Sequence, residues 1–130
     1  MDKNLQCISG GVCAICAFLW GRLDGLFYAL IAFMVLDYIT GIIVACIRKN
    51  LSSETGFKGI AKKVFILVLV AVANILDTQI VGDSSVCRSA VIGFYIANEG
   101  ISITENAVKM GVPVPQKIVD VLEQLKNKDE

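Results

Sequence analysis

The sequence is short of the residue types on which soluble proteins and most enzymes depend. Its 130 residues include no histidine, two prolines, 8% aromatic residues and 18% charged residues. The absence of histidine removes the commonest metal ligand and general base, which excludes most metal sites and histidine-based acid–base schemes. Twelve basic residues balance twelve acidic ones, so no net positive field attracts nucleic acid. We therefore expect neither a cofactor nor a nucleic-acid partner.

Apolar residues are abundant instead. They make up 55% of the chain, and the mean hydropathy of +0.68 is too high for an ordinary soluble domain of this size. Five cysteines cannot all pair with one another, and four lie in or beside apolar runs, which argues against a disulfide framework. A phosphate-binding loop, a nucleophile elbow and paired catalytic carboxylates are all missing from the sequence, so we expect no enzyme. The composition indicates a small integral membrane protein.

Four apolar runs approach the length of about 20 residues that a helix needs to cross roughly 30 Å of hydrocarbon. In the second run, twelve strongly apolar residues outweigh the single Asp37. The fourth run has only seven, which about cancel Glu99 and leave Glu105 uncompensated, so this helix needs partners or water along one face. We predict an all-α, multi-pass membrane domain over residues 1–130, with transmembrane helices at about 5–20, 26–47, 64–81 and 89–108.

Basic residues predict the orientation of these helices. With four crossings, ten lysines and arginines lie on the side of both termini and of the loop Arg48–Lys63, against only Arg22 and Arg88 on the other side. By the positive-inside rule, both termini and this loop are cytoplasmic. A cleaved signal peptide is an alternative for the first run, but no small-residue cleavage site follows it before Arg22.

The fourth run carries two contrasting stripes when it is projected as a helix at 100° per residue. One stripe is polar and is a candidate pore lining, whereas the other is made of small residues and is a candidate helix-packing face. The polar stripe comprises Tyr95, Asn98, Glu99, Ser102, Glu105 and Asn106, and the packing stripe comprises Gly93, Ala97, Gly100, Thr104 and Ala107.

Polar residues in the other runs are candidate intramembrane partners, namely Asp37, Asn74 and Asp77. One interpretation places them beside water, either in a path or in a face that subunits hide before a pore opens. The alternative closes them inside the bundle, with Glu99 paired to Asn74 and Asp37 paired to Asn98. The sequence shows no lysine or arginine at the same depth, which favours water. Further candidate packing residues are Gly10, Ala14 and Gly41.

The C-terminal segment is predicted to leave the membrane. Residues 111–115 (GVPVP) break the fourth helix. Residues 116–128 then place Ile118, Val121, Leu122 and Leu125 on one side and charges on the other. This pattern predicts a short amphipathic helix that lies on the membrane or packs against a neighbour, with frayed residues at 127–130.

Several strings of residues, in this order, resemble the clostridial-type toxin-secretion and phage-lysis holins, bacteriophage holin family 4. They are DGLFYAL at 24–30, LDYITG at 36–41, GFKGIAKK at 56–63, ANILD at 73–77, FYIANEGISITENAVKMG at 94–111, and the proline turn at Pro113 and Pro115. The resemblance runs from about Asp24 to Leu125, whereas the N-terminal run with Cys13 and Cys16 matches no signature of the family.

The resemblance implies a homo-oligomer in the bacterial cytoplasmic membrane, without catalysis or cofactor. Such proteins accumulate in the lipid bilayer and then form lesions through which an endolysin or, in toxin loci, a toxin passes. Three alternatives remain open at this point: a small proton-coupled transporter, a holin-like inhibitor (antiholin) that co-assembles with a holin, and a purely structural subunit.

Overall fold

The computed structural model of the protein describes residues 2–128, except for the side chain of Lys128. Met1, Asp129 and Glu130 lie outside the described residues, so the expected fraying of the last residues is untested there. The described part contains five helices and no strand, which confirms the all-α class. They are α1 (Lys3–Trp20), α2 (Gly25–Ile47), α3 (Ser53–Ile75) with a π-helical continuation (Leu76–Val81), α4 (Val86–Lys109) and α5 (Gln116–Lys128).

Side-chain caps explain where the helices begin. The Asp24 carboxylate accepts a hydrogen bond from the backbone N–H of Phe27 at 3.0 Å and starts α2. The Ser52 hydroxyl accepts one from the N–H of Thr55 at 3.1 Å and starts α3 at Ser53. The predicted loop Arg48–Lys63 is therefore wrong over most of its length, because the capped helix already contains the stretch before Val64.

Two of the described helices are long and apolar enough to cross a membrane. They are Gly25–Ile47, which contains an 18-residue stretch of mean hydropathy 2.4, and Ser53–Val81, which contains one of 2.3. Helices α1 and α4 occupy the predicted first and fourth runs, but they are not long and apolar enough to count as candidate membrane spans. The structure thus gives two candidate membrane spans, and the four predicted crossings remain a prediction.

Helix α4 lies at the centre of the bundle. It packs against α2, α3 and α5, whereas α1 packs mainly against α3. The buried core is built from Phe27, Leu30 and Met34 of α2, Ile66 and Val70 of α3, and Ile92 and Ile96 of α4. Most apolar residues of α1 face outward, and Ile8 and Ile15 are 63% and 61% exposed. Such a surface suits contact with lipid or with another protein.

The hydrogen bonds between helices fix their directions. Helices α2 and α4 run parallel, because Arg88 contacts Asp24 at one end and Asn106 contacts Thr40 further along. Helix α3 runs antiparallel to both. The turns at residues 21–24 and 82–85 therefore share one end of the bundle, which we call the Arg88 end. The turns at 48–52 and 110–115 share the other, which we call the basic end.

Candidate functional site

A cluster of charged side chains joins α2, α3 and α4 in the half of the bundle nearer the basic end. The ammonium group of Lys63 lies 2.9 Å from Asp37 Oδ2 and 2.9 Å from Glu99 Oε2. The three side chains are largely buried, with exposed fractions of 17%, 15% and 9% respectively. One cation from α3 therefore bridges an anion from α2 and an anion from α4.

The local sequence of α3 brings Lys63 to this position. Gly56 and Gly59 let the aromatic ring of Tyr38 approach the backbone of α3, and the Tyr38 hydroxyl donates a hydrogen bond to the Gly56 carbonyl at 3.3 Å. A Cβ atom on Gly59 would lie 3.3 Å from Tyr38 Cε2. Since Lys63 is one turn further along, it faces α2 and α4 together with the buried Ile66 and Val70.

Neutral side chains complete the cluster. The Asn106 amide donates to Thr40 Oγ1 at 2.9 Å and to Asp37 Oδ1 at 3.4 Å. The Thr40 hydroxyl in turn donates to the Leu36 carbonyl at 2.8 Å. Among the described residues, no fully buried side-chain nitrogen or oxygen is left without a partner. The cluster is thus a satisfied polar network rather than a set of stranded charges.

The cluster carries an excess of negative charge and lies between two cavities. Two carboxylates face one ammonium, so the cluster has a net charge of −1 when all three groups are ionised. A cavity of about 230 Å³ extends from it towards Gly41 and Ala45, and another of about 390 Å³ extends towards Tyr95 and Asn98. Most of the lining of each cavity is apolar, but the charged cluster borders both, and each cavity has room for several water molecules. Separation of the three helices would therefore give water access to charged groups.

A second polar cluster closes the Arg88 end. Arg88 is 6% exposed, and its guanidinium donates to the Trp20 carbonyl at 2.8 Å, to the Arg22 carbonyl at 2.7 Å and to Asp24 Oδ2 at 3.1 Å. Asp77, on the π-helical turn, accepts from the backbone N–H groups of Cys87 and Arg88 at 3.1 and 2.7 Å and so caps α4.

This second cluster also fixes the end of α1. The Asn74 amide donates to the Phe18 carbonyl at 3.0 Å, and the indole N–H of Trp20 donates to the Leu67 carbonyl at 2.9 Å. Gly21 ends α1 with a φ of +73°, and a Cβ atom there would lie 2.7 Å from Asn74 Oδ1. Only glycine combines this backbone conformation with so close an approach.

The charge of Arg88 acts on its partner Asp24. Hydrogen bonding to the guanidinium holds the pKa of Asp24 below its ordinary value of 3.8, and the N–H of Phe27 acts in the same direction. The carboxylate therefore serves twice, as the cap of α2 and as the counter-ion of a buried arginine.

The structure divides the predicted polar stripe of α4 between inside and outside. Glu99 and Asn106 are buried against α2 and α3, while Asn98 and Glu105 are exposed. The remaining two, Tyr95 and Ser102, are half-buried beside the larger cavity.

The candidate packing residues also divide. Gly93, Ala97 and Gly100 are buried in the bundle, whereas Thr104 and Ala107 are half-buried. Gly41 is half-buried, with Asn106 near its Cα, and Gly10 and Ala14 are exposed on α1. Whether these residues form contacts between subunits stays a prediction.

Two sequence-based expectations about charge pairing are wrong. A lysine does lie at the depth of the acidic residues, because Lys63 belongs to a helix rather than to a loop. Glu99 pairs with Lys63 and not with Asn74, which is bonded to α1 at the Arg88 end. Asp37 pairs with Lys63 and Asn106 and not with Asn98.

The sequence contained a signal for Lys63 that the apolar-run analysis missed. Lys63, Ile66, Val70, Ala73 and Asp77 follow one another by three or four residues, which is the spacing of one helical face. Arg88 offered a weaker signal, because two of its partners are backbone carbonyls and only Asp24 is a side chain. Trp20 offered none, because its partner is the Leu67 carbonyl. Among residues 2–128, no three acidic or cysteine side chains are grouped so that they could hold a metal ion.

Comparison with known proteins identifies the family. A model described as the bacteriophage holin family matches residues 14–127. The chain belongs to the bacteriophage holin family. This family is not enzymatic, in agreement with the prediction from the motifs that the sequence lacks. No solved structure matches the chain.

Similar proteins come from bacteria and from a phage. An uncharacterized protein of Listeria monocytogenes is 47% identical over 112 residues, covering 86% of this chain and 79% of its own. An uncharacterized 14.9 kDa protein of Clostridium perfringens is 40% identical over 131 residues, covering 98% and 99%. A protein of Bacillus phage phi105 named "Probable holin" is 38% identical over 114 residues, covering 88% and 83%.

Proposed function

We propose that this protein is a holin that self-associates in the bacterial cytoplasmic membrane and forms a lesion through which a cell-wall hydrolase passes. Family membership and the similarity to the phage phi105 protein support the general role. Two helices of suitable length and hydropathy support a membrane location. In this proposal the cargo is an endolysin, and export of a toxin is the alternative cargo for the same lesion.

The four-crossing arrangement belongs to this proposal. Helix α4 is held to α2 at both ends, through Arg88 with Asp24 and through Asn106 with Thr40. If α2 and α3 cross the membrane, α4 lies at the same depth although its own sequence is less apolar. In this proposal α1 crosses beside α3, to which it is hydrogen-bonded, and the N-terminus and the turn between α4 and α5 lie on the cytoplasmic side.

The observation that carries the proposal is the bridge from Lys63 to Asp37 and Glu99. A lesion needs water-facing groups at bilayer depth, and a subunit accumulating in lipid needs those groups neutralised. The bridge offsets one of the two negative charges inside one subunit, and separation of α3 from α2 and α4 would return three ionisable groups to water. The closed bundle and the separated state need differ in free energy by only a few kcal/mol, so a modest change in their relative populations suffices to trigger assembly.

Inducible expression in a bacterium tests the proposal, with and without a co-expressed cytoplasmic endolysin. We expect abrupt growth arrest and loss of membrane potential, and lysis only where the endolysin is present. Depolarisation without endolysin release would restrict the lesion to small ions. Continued growth with the protein present in the membrane would contradict a holin and favour an inhibitor or a transporter.

A further inference from the structure

Helix α5 is docked along α4 rather than extended from it. After Gly111, whose φ is +80°, the chain reverses, and the N–H of Val112 bonds to the Ala107 carbonyl at 2.9 Å. Leu122 is 9% exposed and packs on Gly100, where a Cβ atom would lie only 2.6 Å from Leu122 Cδ2. Further along, the Lys126 ammonium lies 6.0 Å from the centre of the Phe94 ring.

The docked position reaches the middle of the bundle. A Cβ atom on Gly100 would lie 3.1 Å from Phe33 Cε2, so Gly100 and Leu122 are level with the middle of α2. Thirteen residues of helix span about 20 Å, which carries α5 from the basic end to the level of Phe94. If α2 spans a bilayer, most of α5 therefore lies at the depth of the hydrocarbon.

The side of α5 directly opposite α4 is polar at this depth, and the exposed Ile118 and Val121 lie on its flank. Four residues spaced by three or four positions share the side turned away from α4, and all four are exposed: Lys117, Asp120, Gln124 and Asn127. We call them the α5 polar face. Charged and amide groups are strongly unfavourable against lipid chains, so a docked α5 requires water rather than lipid on this face.

In the closed bundle, the polar residues of α4 do not form a comparable surface. Its buried members, Glu99 and Asn106, are engaged with Lys63, Thr40 and Asp37. Between the two ends of α4, the exposed polar side chains are Asn98 and Glu105, and Glu105 borders the groove between α4 and the start of α5. The continuous polar surface at bilayer depth thus belongs to α5.

We propose that α5 stays docked in the assembled lesion and that the α5 polar face lines its aqueous opening. This inference rests on the proposed holin function and assigns a water-facing surface to a segment that the sequence placed either on the membrane or against a neighbouring helix. The alternative is an α5 that detaches from α4 before the lesion forms.

Release of a fluorescent dextran of protein size from liposomes containing the purified protein tests the inference. The first variant is Asp120→Leu with Gln124→Leu, which makes the α5 polar face apolar while keeping good helix formers. We expect its release to fall to that of protein-free liposomes. The matched control is Glu54→Leu at an exposed position near the start of α3, which should release like the unmodified protein. Undiminished release by the double variant overturns the inference.

A disulfide that holds α5 against α4 provides a second experiment, which does not depend on the folding of the leucine variant. Gly100→Cys with Leu122→Cys, in a chain whose five native cysteines are replaced by alanine, joins α4 to α5. We expect equal release by the oxidised and reduced forms. Release only after reduction would show that α5 must detach, and would overturn the inference. If the unmodified protein itself releases nothing, the proposed holin function fails and this inference fails with it.

Discussion

At the scale of single residues, the two buried cations of the bundle are neutralised in different ways. Lys63 faces two carboxylates, so the cluster depends on one positive charge between two negative ones. Arg88 faces two backbone carbonyls and one carboxylate, so its hydrogen bonds persist when Asp24 is neutralised. Loss of Lys63 would leave two carboxylates without a counter-ion, whereas loss of Arg88 would leave mainly backbone carbonyls without a donor.

Lys63→Met is expected to destabilise the closed bundle by about 3 kcal/mol, because it leaves Asp37 and Glu99 largely buried without a counter-ion. Thermal unfolding in detergent micelles measures this change, and earlier lysis after induction is the expected cellular result. The matched control is Lys62→Met, which removes the charge of an exposed neighbour. Equal unfolding temperatures of the two variants would show that the bridge contributes little.

The stability at the Arg88 end is expected to depend on acidity through Asp24. Its pKa in the folded protein lies below the ordinary value of 3.8, so the stabilisation is fully present above that value. It is lost as the pH falls through the lowered pKa, because protonation removes the negative partner of Arg88.

Asp24→Asn tests this dependence while keeping a good helix cap. The variant should unfold at a lower temperature than the unmodified protein at neutral pH, and the difference should shrink at acidic pH. Asp83→Asn, at an exposed turn position, serves as the control. A difference that is independent of pH would assign the effect to capping rather than to charge.

At the scale of secondary-structure elements, the apolar runs were sufficient to place α1, α2 and α4 within a few residues, and the amphipathic pattern was sufficient to place α5. It failed at the start of α3, because Ser53–Lys63 is polar and glycine-rich and its helix depends on a serine cap and on contact with Tyr38. Composition identifies segments apolar enough to contact lipid. It does not identify polar helical turns that are stabilised by contact with another helix.

Residue types of the candidate site were predictable, whereas their partners were not. A carboxylate in an apolar run indicates a need for a partner, and Asp37, Asp77 and Glu99 each have one. Which group supplies it depends on helix direction and relative shift. A one-turn error in α3 is enough to exchange Lys63 for another residue, and an amide donor such as Asn74 finds a backbone carbonyl that leaves no trace in the side-chain pattern.

Docking of α5 is expected to depend on the absence of a side chain at Gly100. Gly100→Leu fills the space that Leu122 and Phe33 occupy, so α5 should detach and, as an isolated 13-residue helix, lose its regular structure. Hydrogen exchange of the α5 backbone amides in nanodiscs measures this loss. Gly10→Leu is the control, since nothing lies within 4 Å of that position. Retained protection of α5 in the Gly100 variant would contradict the packing.

At the scale of the whole molecule, basic residues are concentrated at one end of the bundle. Arg48, Lys49 and Lys109 lie near the basic end, while Arg22 is exposed at the Arg88 end. The positive-inside rule then predicts a cytoplasmic basic end.

Single cysteines at the two ends test this orientation in a chain whose native cysteines are replaced by alanine. A membrane-impermeant maleimide added to intact cells, before any lesion forms, should modify Ser85→Cys and not Lys109→Cys. Modification of Lys109→Cys alone would reverse the orientation, and modification of both would contradict a sealed membrane with four crossings.

Because the two polar clusters are held by different interactions, one end of the bundle should open before the other. The Arg88 end is tied mainly by backbone carbonyls, which ions and protons leave unchanged, and it joins α1, α2, α3 and α4 at one place. The Lys63 cluster joins α2, α3 and α4 mainly through charge, so ions or a change of membrane potential act there first. The helices should therefore separate first at the Lys63 cluster and pivot about the Arg88 end. With the proposed orientation, each subunit then opens towards the cytoplasm before it opens outward.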